Sequence, residues 1–226
     1  MEPIDKEDMF SAVAVGCSAG GVAAMRRILS ELPINFPIPV LVAQHRASTS
    51  DDLLPVVLGY STDLTVKSAE EGEMPKSGVV YLAPPGRHLH IGSSGQLHVS
   101  LTERIRHVRP SADLLFETAA AFYESKLLAV VLTGLGNDGT RGIRAARKAG
   151  GFAIAQDATT SEHYDMPLSA AEVGRADMVL PLFRIAFALT ALVMGREAAV
   201  ACHPDPGPVG RELRTLHQKR HRTQLG

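Results

Sequence analysis

The stretch LLAVVLTGLGNDGTRGIRAARKAGG, which runs from Leu127 to Gly151, decides the fold. It opens with Leu127–Leu132, an apolar run of the length expected for a strand buried on both faces. A glycine-rich loop follows, and the stretch Asp138–Ala149 then carries apolar or small residues at helical spacing until Gly150 and Gly151 end it. Strand, loop and helix in this order predict one βα unit of a parallel sheet.

The same alternation continues on both sides of this unit. Five further apolar runs predict strands: Ala12–Val15, Val40–Ala43, Val79–Ala83, Phe152–Ala155 and Met178–Leu180. Helical patterns lie between them at Val22–Leu32, from Asp51 through Leu58, at Ala112–Tyr123 with Ser111 as N-cap, and at Phe183–Val193. His88–Ile91 and Leu97–Leu101 predict a hairpin. We therefore expect an α/β fold with a doubly wound, mostly parallel sheet, flanking helices and a β-hairpin, in three αβα layers.

Composition excludes several classes of protein. The formal net charge of −1 and the 5% aromatic content, without tryptophan, argue against a nucleic-acid-binding protein. Two distant cysteines, Cys17 and Cys202, do not form a disulfide framework and suit a reducing compartment. No apolar run approaches the roughly 20 residues that span a bilayer, and the acidic start is unlike a signal peptide. We expect a cytoplasmic protein that does not insert into membranes.

We predict one domain over residues 11–195, preceded by a short lead at 1–10. Residues 196–226 shift to a proline-containing and then basic composition, which predicts a flexible tail. A basic docking arm for an acidic partner is the alternative interpretation of that tail.

Three chemically competent side chains each follow a different predicted strand. Ser18 lies in a G-x-S-x-G turn, His45 follows the second strand, and Asp138 lies in the loop after Leu132. Because the carboxyl ends of parallel strands meet at one edge, the three side chains can form a nucleophile, a base and an orienting group. Taken singly, the same residues fit a glycine-rich turn, a structural histidine and a helix N-cap. Their order along the chain also differs from that of the α/β-hydrolases.

A set of segments resembles the catalytic domain of chemotaxis protein-glutamate methylesterases. They are VGCSAGGVAAMRRIL, VLVAQH, AEEGEMPKSGVVYLAPPGRHL, RHVRPSADLLFETAA, VVLTGLGNDGTRGIRAARKAGG, AIAQDATTSEHYDMP and SAAEVGRADMVLPL. They occur in order over residues 11–195, and LTGLGNDGTRG is the most distinctive of them.

The resemblance implies a function and its residues. It implies hydrolysis of glutamyl γ-methyl esters on chemoreceptors to glutamate and methanol, with deamidation of receptor glutamines in some members and no metal or organic cofactor. The family serine falls on Ser18, its histidine on His45 and its aspartate on Asp138. Backbone N–H groups near Ala19 and Leu135, with Asn137 beside them, are our candidates for the oxyanion pocket. The expected partners are methylated receptor helices and a separate regulatory protein.

The chain also departs from the family pattern. The family's N-terminal receiver domain needs roughly 100 residues, whereas Ser18 has 17 residues before it. We therefore expect no receiver domain, and either an open enzyme or control by another polypeptide. Some residues also differ from those that are common in the family, and these differences bear on which substrate is bound and on how the oxyanion is held. They are Ala19, Val22, Arg46–Ser48, Leu135 and Leu168.

Three alternatives stay open at this stage. A serine hydrolase of the same fold could act on another ester or amide, a non-catalytic module could bind a partner, and Gly16–Gly21 could hold a phosphate. Other residues have plain interpretations: Cys17 as a buried filler, His88 and His90 as exposed hairpin histidines, and His163–Asp165 as a surface or cleft-bordering loop. The basic run Arg104, Arg106, His107 and Arg109 fits a solvated loop or a contact with acidic receptor helices.

Overall fold

The computed structural model describes residues 10–46 and 51–202. Its strands are β1 (Ala12–Cys17), β2 (Val40–Gln44), β3 (Thr65–Ser68), β4 (Val79–Leu82), β5 (His88–Ile91), β6 (Leu97–Ser100), β7 (Leu127–Val131), β8 (Phe152–Gln156) and β9 (Met178–Leu180). Its helices are α1 (Gly21–Leu29), α2 (Leu54–Gly59), α3 (Ala112–Tyr123), α4 (Thr140–Lys148), α5 (Asp165–Glu172), α6 (Leu182–Met194) and α7 (Arg196–Cys202).

Seven strands form one parallel sheet in the order β3-β4-β2-β1-β7-β8-β9. The chain builds outward from β1 to one edge and then returns to β7 to build the other side. The direction of winding therefore changes beside β1, and ligand sites of open α/β sheets lie outside the carboxyl ends of the strands at such a point. The predicted doubly wound fold is confirmed, and β5 and β6 form the predicted antiparallel hairpin.

The sheet separates two apolar layers. Alternate residues of β1 face opposite sides, so that Val13 and Val15 pack with Met25 of α1, while Ala12 and Ala14 belong to the layer on the other face. That second layer is rich in alanine on the sheet and contains Leu115 and Phe116 of α3, Ile143 of α4 and Met166 of α5. Small sheet residues let α3 approach closely: a Cβ on Gly16 of β1 would lie 2.5 Å from the Cβ of Ala112. The start of α3 is thereby held at the carboxyl end of β1.

Several element boundaries differ from the predictions. Strand β3 was not predicted because Thr65–Ser68 is short, lies at the sheet edge and carries polar residues. Helix α4 begins at Thr140 with Gly139 as N-cap, two residues after the predicted start. Helix α5 was not predicted, and its first residue, Asp165, was assigned to a loop. Residues 196–202, predicted as the beginning of a flexible tail, form α7, which packs on α6 with Ala199 fully buried. The rest of that tail, from 203, lies outside the described residues.

No helix within the described residues 10–46 and 51–202 is long and apolar enough to cross a membrane.

The packing of α3 on α4 depends on a glycine, which makes a first prediction possible. A Cβ on Gly142 of α4 would collide with the Cβ of Phe116 on α3, which is near its own backbone and cannot swing away. We expect Gly142→Ala to lower the free energy of unfolding by about 1–3 kcal/mol, as overpacked sites do. Denaturant unfolding measures the change.

Gly59→Ala in α2 is the matched control. A Cβ at Gly59 would meet nothing within 4 Å, so we expect unchanged or slightly raised stability, by up to about 1 kcal/mol. Equal unfolding free energies for the two variants would contradict the close packing of α3 on α4.

Candidate active site

The turn after β1 holds Ser18 by its backbone. The Ser18 N–H donates to the Thr133 carbonyl at 3.0 Å, and the Ser18 carbonyl accepts from Gly21 N–H at 2.9 Å. Gly20 sits in the left-handed region at φ 76°, and α1 starts directly after it. Ser18 is therefore fixed between the end of β1, the loop after β7 and the N-terminus of α1.

His45 leaves the neighbouring strand at the same level. Cys17 of β1 and Gln44 of β2 are partners in the parallel register, and the His45 N–H donates to the Cys17 carbonyl at 2.9 Å. Ser18 and His45 are thus the first residues beyond a paired position of two adjacent strands. The register of these two strands therefore brings the backbones of Ser18 and His45 close together, as the sequence predicted.

Asp138 closes the group from the loop after β7. His45 Nε2 lies 2.8 Å from Asp138 Oδ2. The same carboxylate accepts from Ser111 Oγ at 2.9 Å, from Ala112 N–H at 2.6 Å and from Asp113 N–H at 3.1 Å. Among the described residues, the hydrogen bonds of this group connect His45 to Asp138 and not to Ser18.

The contacts of Asp138 decide its charge. Its exposed fraction is 4%, and burial alone would raise the pKa of this carboxyl. The hydrogen bond to His45, the charge of His45 and the N–H groups of Ala112 and Asp113 act in the other direction, and together they hold the pKa of Asp138 below its usual range. The side chain therefore stays ionised and can hold the imidazole in one orientation.

Asp138 does cap a helix, but not the helix that follows it. Helix α4 has Gly139 as its N-cap and no side-chain cap. The carboxylate of Asp138 binds the first N–H groups of α3, next to the N-cap Ser111, whose Oγ accepts from Leu114 N–H. The plain interpretation of Asp138 as the cap of its own helix is wrong, because the chain turns the side chain towards α3.

Asp113 makes the reciprocal contact, because its carboxylate lies at the start of α3 and binds an N–H group of α4. It is fully buried, and its Oδ1 accepts from Gly142 N–H of α4 at 2.9 Å. Its Oδ2 has no hydrogen-bond partner among the described residues, and Arg106 and Arg141 stay 4.0 and 3.8 Å away. Burial raises the pKa of Asp113, and the nearby charge of Asp138 raises it further against the Gly142 N–H. Each helix start is thus bound by a carboxylate from the beginning of the other.

Gln44 is a buried side chain that joins two turns of the site and that no sequence motif indicates. Its Nε2 donates to the carbonyls of Ser18 and His45 at 2.9 and 2.8 Å, and its Oε1 accepts from Cys17 Sγ at 3.0 Å. It therefore ties the backbone of the serine turn to that of the histidine turn. A glutamine that ends an apolar strand is the signal that could have found it, since a buried amide needs partners.

Cys17 has the structural role predicted for it. Burial raises the pKa of the Cys17 thiol to about 12, so the group stays protonated and unreactive at neutral pH. It packs in the core below the serine turn.

The oxyanion candidates lie in the serine turn and in the loop after β7. Ala19 lies in the turn that precedes α1, and its carbonyl accepts from Thr133 Oγ1 at 3.0 Å. Leu135 is 56% exposed, and Asn137 is exposed with its Oδ1 accepting from Arg106 Nη1 at 3.1 Å. Their role in binding an oxyanion stays a prediction.

His88, predicted to be exposed, is fully buried. Its Nε2 lies 3.1 Å from the Glu103 carbonyl, and burial lowers its pKa. The prediction was wrong because hairpin β5–β6 packs on α3, where Ile91 N–H donates to Thr118 Oγ1. His90 is half-buried and stacks on His98. Within residues 10–46 and 51–202, no group of three or more His, Cys, Asp or Glu side chains could hold a metal ion.

His163 belongs to the loop that borders the serine turn. Its carbonyl accepts from Gly134 N–H at 2.9 Å, and its N–H donates to Thr133 Oγ1 at 2.9 Å. The cleft-bordering interpretation of this segment is the one that the contacts favour.

The comparisons with known proteins agree with this architecture. A family model described as CheB methylesterase matches residues 13–189. The chain belongs to the CheB methylesterase family. This match confirms the resemblance seen in the sequence and the prediction that the chain is a methylesterase.

Individual relatives and a solved structure support the assignment. A Leptospira interrogans relative, provisionally named a protein-glutamate methylesterase/protein-glutamine glutaminase, is 44% identical over 177 residues, 78% of this chain and 92% of the relative. A Rhizobium meliloti protein-glutamate methylesterase/protein-glutamine glutaminase is 43% identical over 195 residues, which is 86% of this chain but 55% of that protein. The crystal structure of the Thermotoga maritima CheB methylesterase catalytic domain superposes with a TM-score of 0.78 at 40% identity, covering 81% of this chain and 99% of that one.

The two buried carboxylates give stability opposite dependences on pH. The pKa of Asp113 in the folded state lies above the ordinary 3.8. Between these two values the folded state binds more protons than the unfolded chain. The free energy of unfolding therefore falls as pH rises through the folded-state pKa of Asp113. We expect Asp113→Asn to raise the free energy of unfolding at neutral pH and to flatten that fall. Urea unfolding at several values from about pH 3 to about pH 8 measures both.

Asp138→Asn is the control of opposite sign. Because the pKa of Asp138 is lowered from 3.8, its contribution is present above that value and is lost as pH falls through the folded-state pKa. We expect this variant to have a lower free energy of unfolding than the parent at neutral pH. Because the variant lacks this carboxylate, its free energy of unfolding should fall less than that of the parent as the pH is lowered into the acid range. An Asp113→Asn variant whose stability follows the parent at every pH would contradict the assigned charge of Asp113.

Proposed function

We propose that the chain hydrolyses glutamyl γ-methyl esters on chemoreceptors, with Ser18 as nucleophile, His45 as base and Asp138 as the orienting carboxylate. The observation that carries the proposal is the 2.8 Å contact between His45 Nε2 and Asp138 Oδ2, formed where Ser18 and His45 leave paired strand positions. The reaction is taken from relatives, which are named protein-glutamate methylesterases.

The contact supports one assignment of roles to the two nitrogens of the imidazole. Because Asp138 occupies the Nε2 side of His45, Nε2–H donates to the carboxylate and Nδ1 is the nitrogen left to accept a proton. Ser18 Oγ attacks the ester carbonyl while His45 Nδ1 takes its proton. The same proton then goes to the departing methoxide, methanol leaves, and Ser18 holds the acyl group.

Water completes the reaction by the reverse roles. His45 takes a proton from water as the water oxygen attacks the acyl-enzyme, and that proton then goes to Ser18 Oγ as the bond to the serine breaks. The product is released as a carboxylic acid, which gives its own proton to solvent and becomes glutamate. The oxyanion of each tetrahedral step is assigned to backbone N–H groups of Ala19 and Leu135, with Asn137 beside them. The start of α1 adds its positive end to the same region.

Deamidation of glutamine side chains is a second activity of the same site. The names of the relatives include protein-glutamine glutaminase. The acyl-enzyme is the same, and the leaving group is ammonia, which needs the proton from His45 more than methoxide does because it cannot leave as an anion.

The partners and location follow from this substrate. We propose that residues 11–202 act as the catalytic unit on methylated receptor helices in the cytoplasm. A serine hydrolase acting on other esters would cleave small esters but release no methanol from methylated receptors, and a non-catalytic module would do neither.

Loss of the nucleophile is the direct test. We expect Ser18→Ala to abolish methanol release from methylated receptor membranes, because the substitution removes the proposed nucleophile. Asp138→Asn should fold but lose activity by about 10⁴-fold, since an amide in this position favours the wrong imidazole tautomer. Both are measured by methanol formation at saturating receptor.

Ser30→Ala is the matched control, since it makes the same change at the other end of α1, where the hydroxyl donates to the Arg27 carbonyl. It should keep the parent rate. Equal methanol release by the Ser18→Ala and Ser30→Ala proteins would refute the proposed mechanism.

A further inference from the structure

A cavity of about 300 Å³ lies directly beside the proposed base. Its walls come from three segments: the residues after β2, the turn between β4 and β5, and the loop between β6 and α3. The lining residues are His45, Arg46, Gly86, Arg104, His107, Val108 and Arg109. None of these lining residues is acidic, and three of them are arginines.

A tight turn presents the arginines of the third segment. Ile105 and Val108 exchange both backbone hydrogen bonds, at 3.1 and 3.0 Å. The two residues between them, Arg106 and His107, have φ values of 48° and 71°, which is the pattern of a type I′ turn. The turn directs Arg106 towards Asn137 and leaves Arg104 and Arg109, on its two sides, at the cavity.

The positive charge at this cavity is only partly compensated. Arg46 pairs with Asp52 at 2.8 Å. Arg109 donates from Nη1 to the carbonyls of Leu101 and Thr102, and its Nε is buried without a hydrogen-bond partner. Among the described residues, no carboxylate forms an ion pair with Arg104 or Arg109. The wall therefore offers guanidinium donors that an anion would satisfy.

A carboxylate in the cavity would accept hydrogen bonds from the guanidinium groups of Arg104 and Arg109 and offset their charge. The reacting group itself is an uncharged ester, so the carboxylate must come from another part of the substrate.

We propose that this cavity is a subsite for an acidic side chain of the substrate, so that the enzyme prefers methyl esters that have a carboxylate nearby on the same segment. The inference rests on the proposed function for its substrate, but its test does not require turnover.

Binding to the Ser18→Ala protein tests the subsite without catalysis. Two helical peptides carry one γ-methyl glutamate, with glutamates in one peptide and glutamines in the other at the positions three and four residues to either side, which share its face. We expect the acidic peptide to bind about tenfold more tightly, the ratio for one charge-assisted contact of about 1.4 kcal/mol. The ratio should fall as salt is raised.

The second step assigns the preference to the cavity. In the Ser18→Ala background, Arg104→Gln should reduce the ratio to about twofold, because one of the two uncompensated charges is lost. Arg104 is exposed, so the variant should fold; Arg109→Gln is a second variant with the same expected direction. Lys148→Gln, at the far end of α4, removes one exposed positive charge away from the cavity and should keep the tenfold ratio.

The outcomes separate the subsite from the proposed function. Equal binding of the two peptides, or an undiminished ratio in both arginine variants, overturns the subsite. Inorganic phosphate binding that depends on Arg104 without any preference between the peptides also overturns it, because the cavity would then hold a free anion only. If the parent releases no methanol from receptors while the peptide ratio depends on Arg104, the subsite stands and the proposed function fails.

Discussion

A buried carboxylate that has to remain charged is the constraint on which the site depends. Asp138 is almost completely removed from water, yet in the proposed mechanism its ionised form holds His45. The first N–H groups of α3 and the hydroxyl of Ser111 replace the lost water. The start of a helix is suited to this task, since its N–H groups have no partners within the helix and carry its positive end.

The position of Asp138 therefore depends on how α3 and α4 pack together. Helix α3 can reach the site because its N-terminus lies over Gly16 of β1, where a side chain would collide with Ala112. Asp113 at the start of α3 in turn binds Gly142 N–H of α4. The two helices therefore fix each other at the ends that face the cleft, and the loop that carries Asp138 is held between them. The positions of His45 and Ser18 need no such device, because the register of β1 and β2 sets them.

The features that could be predicted from the sequence are those that depend on local patterns of apolar residues. The apolar runs predicted six of the seven sheet strands, and the ends of three of them located Ser18, His45 and Asp138, because parallel strands bring their carboxyl ends to one edge. The use of Asp138 as a cap of α3 could not be predicted, since Ser111 and Asp138 are distant in sequence and meet only through packing. The burial of His88 was missed for the same reason, because it depends on the hairpin lying on α3. Strand β3 lacks a signal of its own, since an edge strand needs no apolar run.

The most direct test of this account is the location of the proton on His45, observed by nitrogen NMR of protein with labelled histidine at neutral pH. The account predicts that the neutral form of the ring carries its proton on Nε2, in a strong hydrogen bond to Asp138, with Nδ1 unprotonated. It also predicts that the signal of this hydrogen bond is lost in Asp138→Asn. A neutral ring with its proton on Nδ1 in the parent protein, or an Nε2–H signal unaffected by the substitution, would contradict the arrangement on which the rest of the mechanism is built.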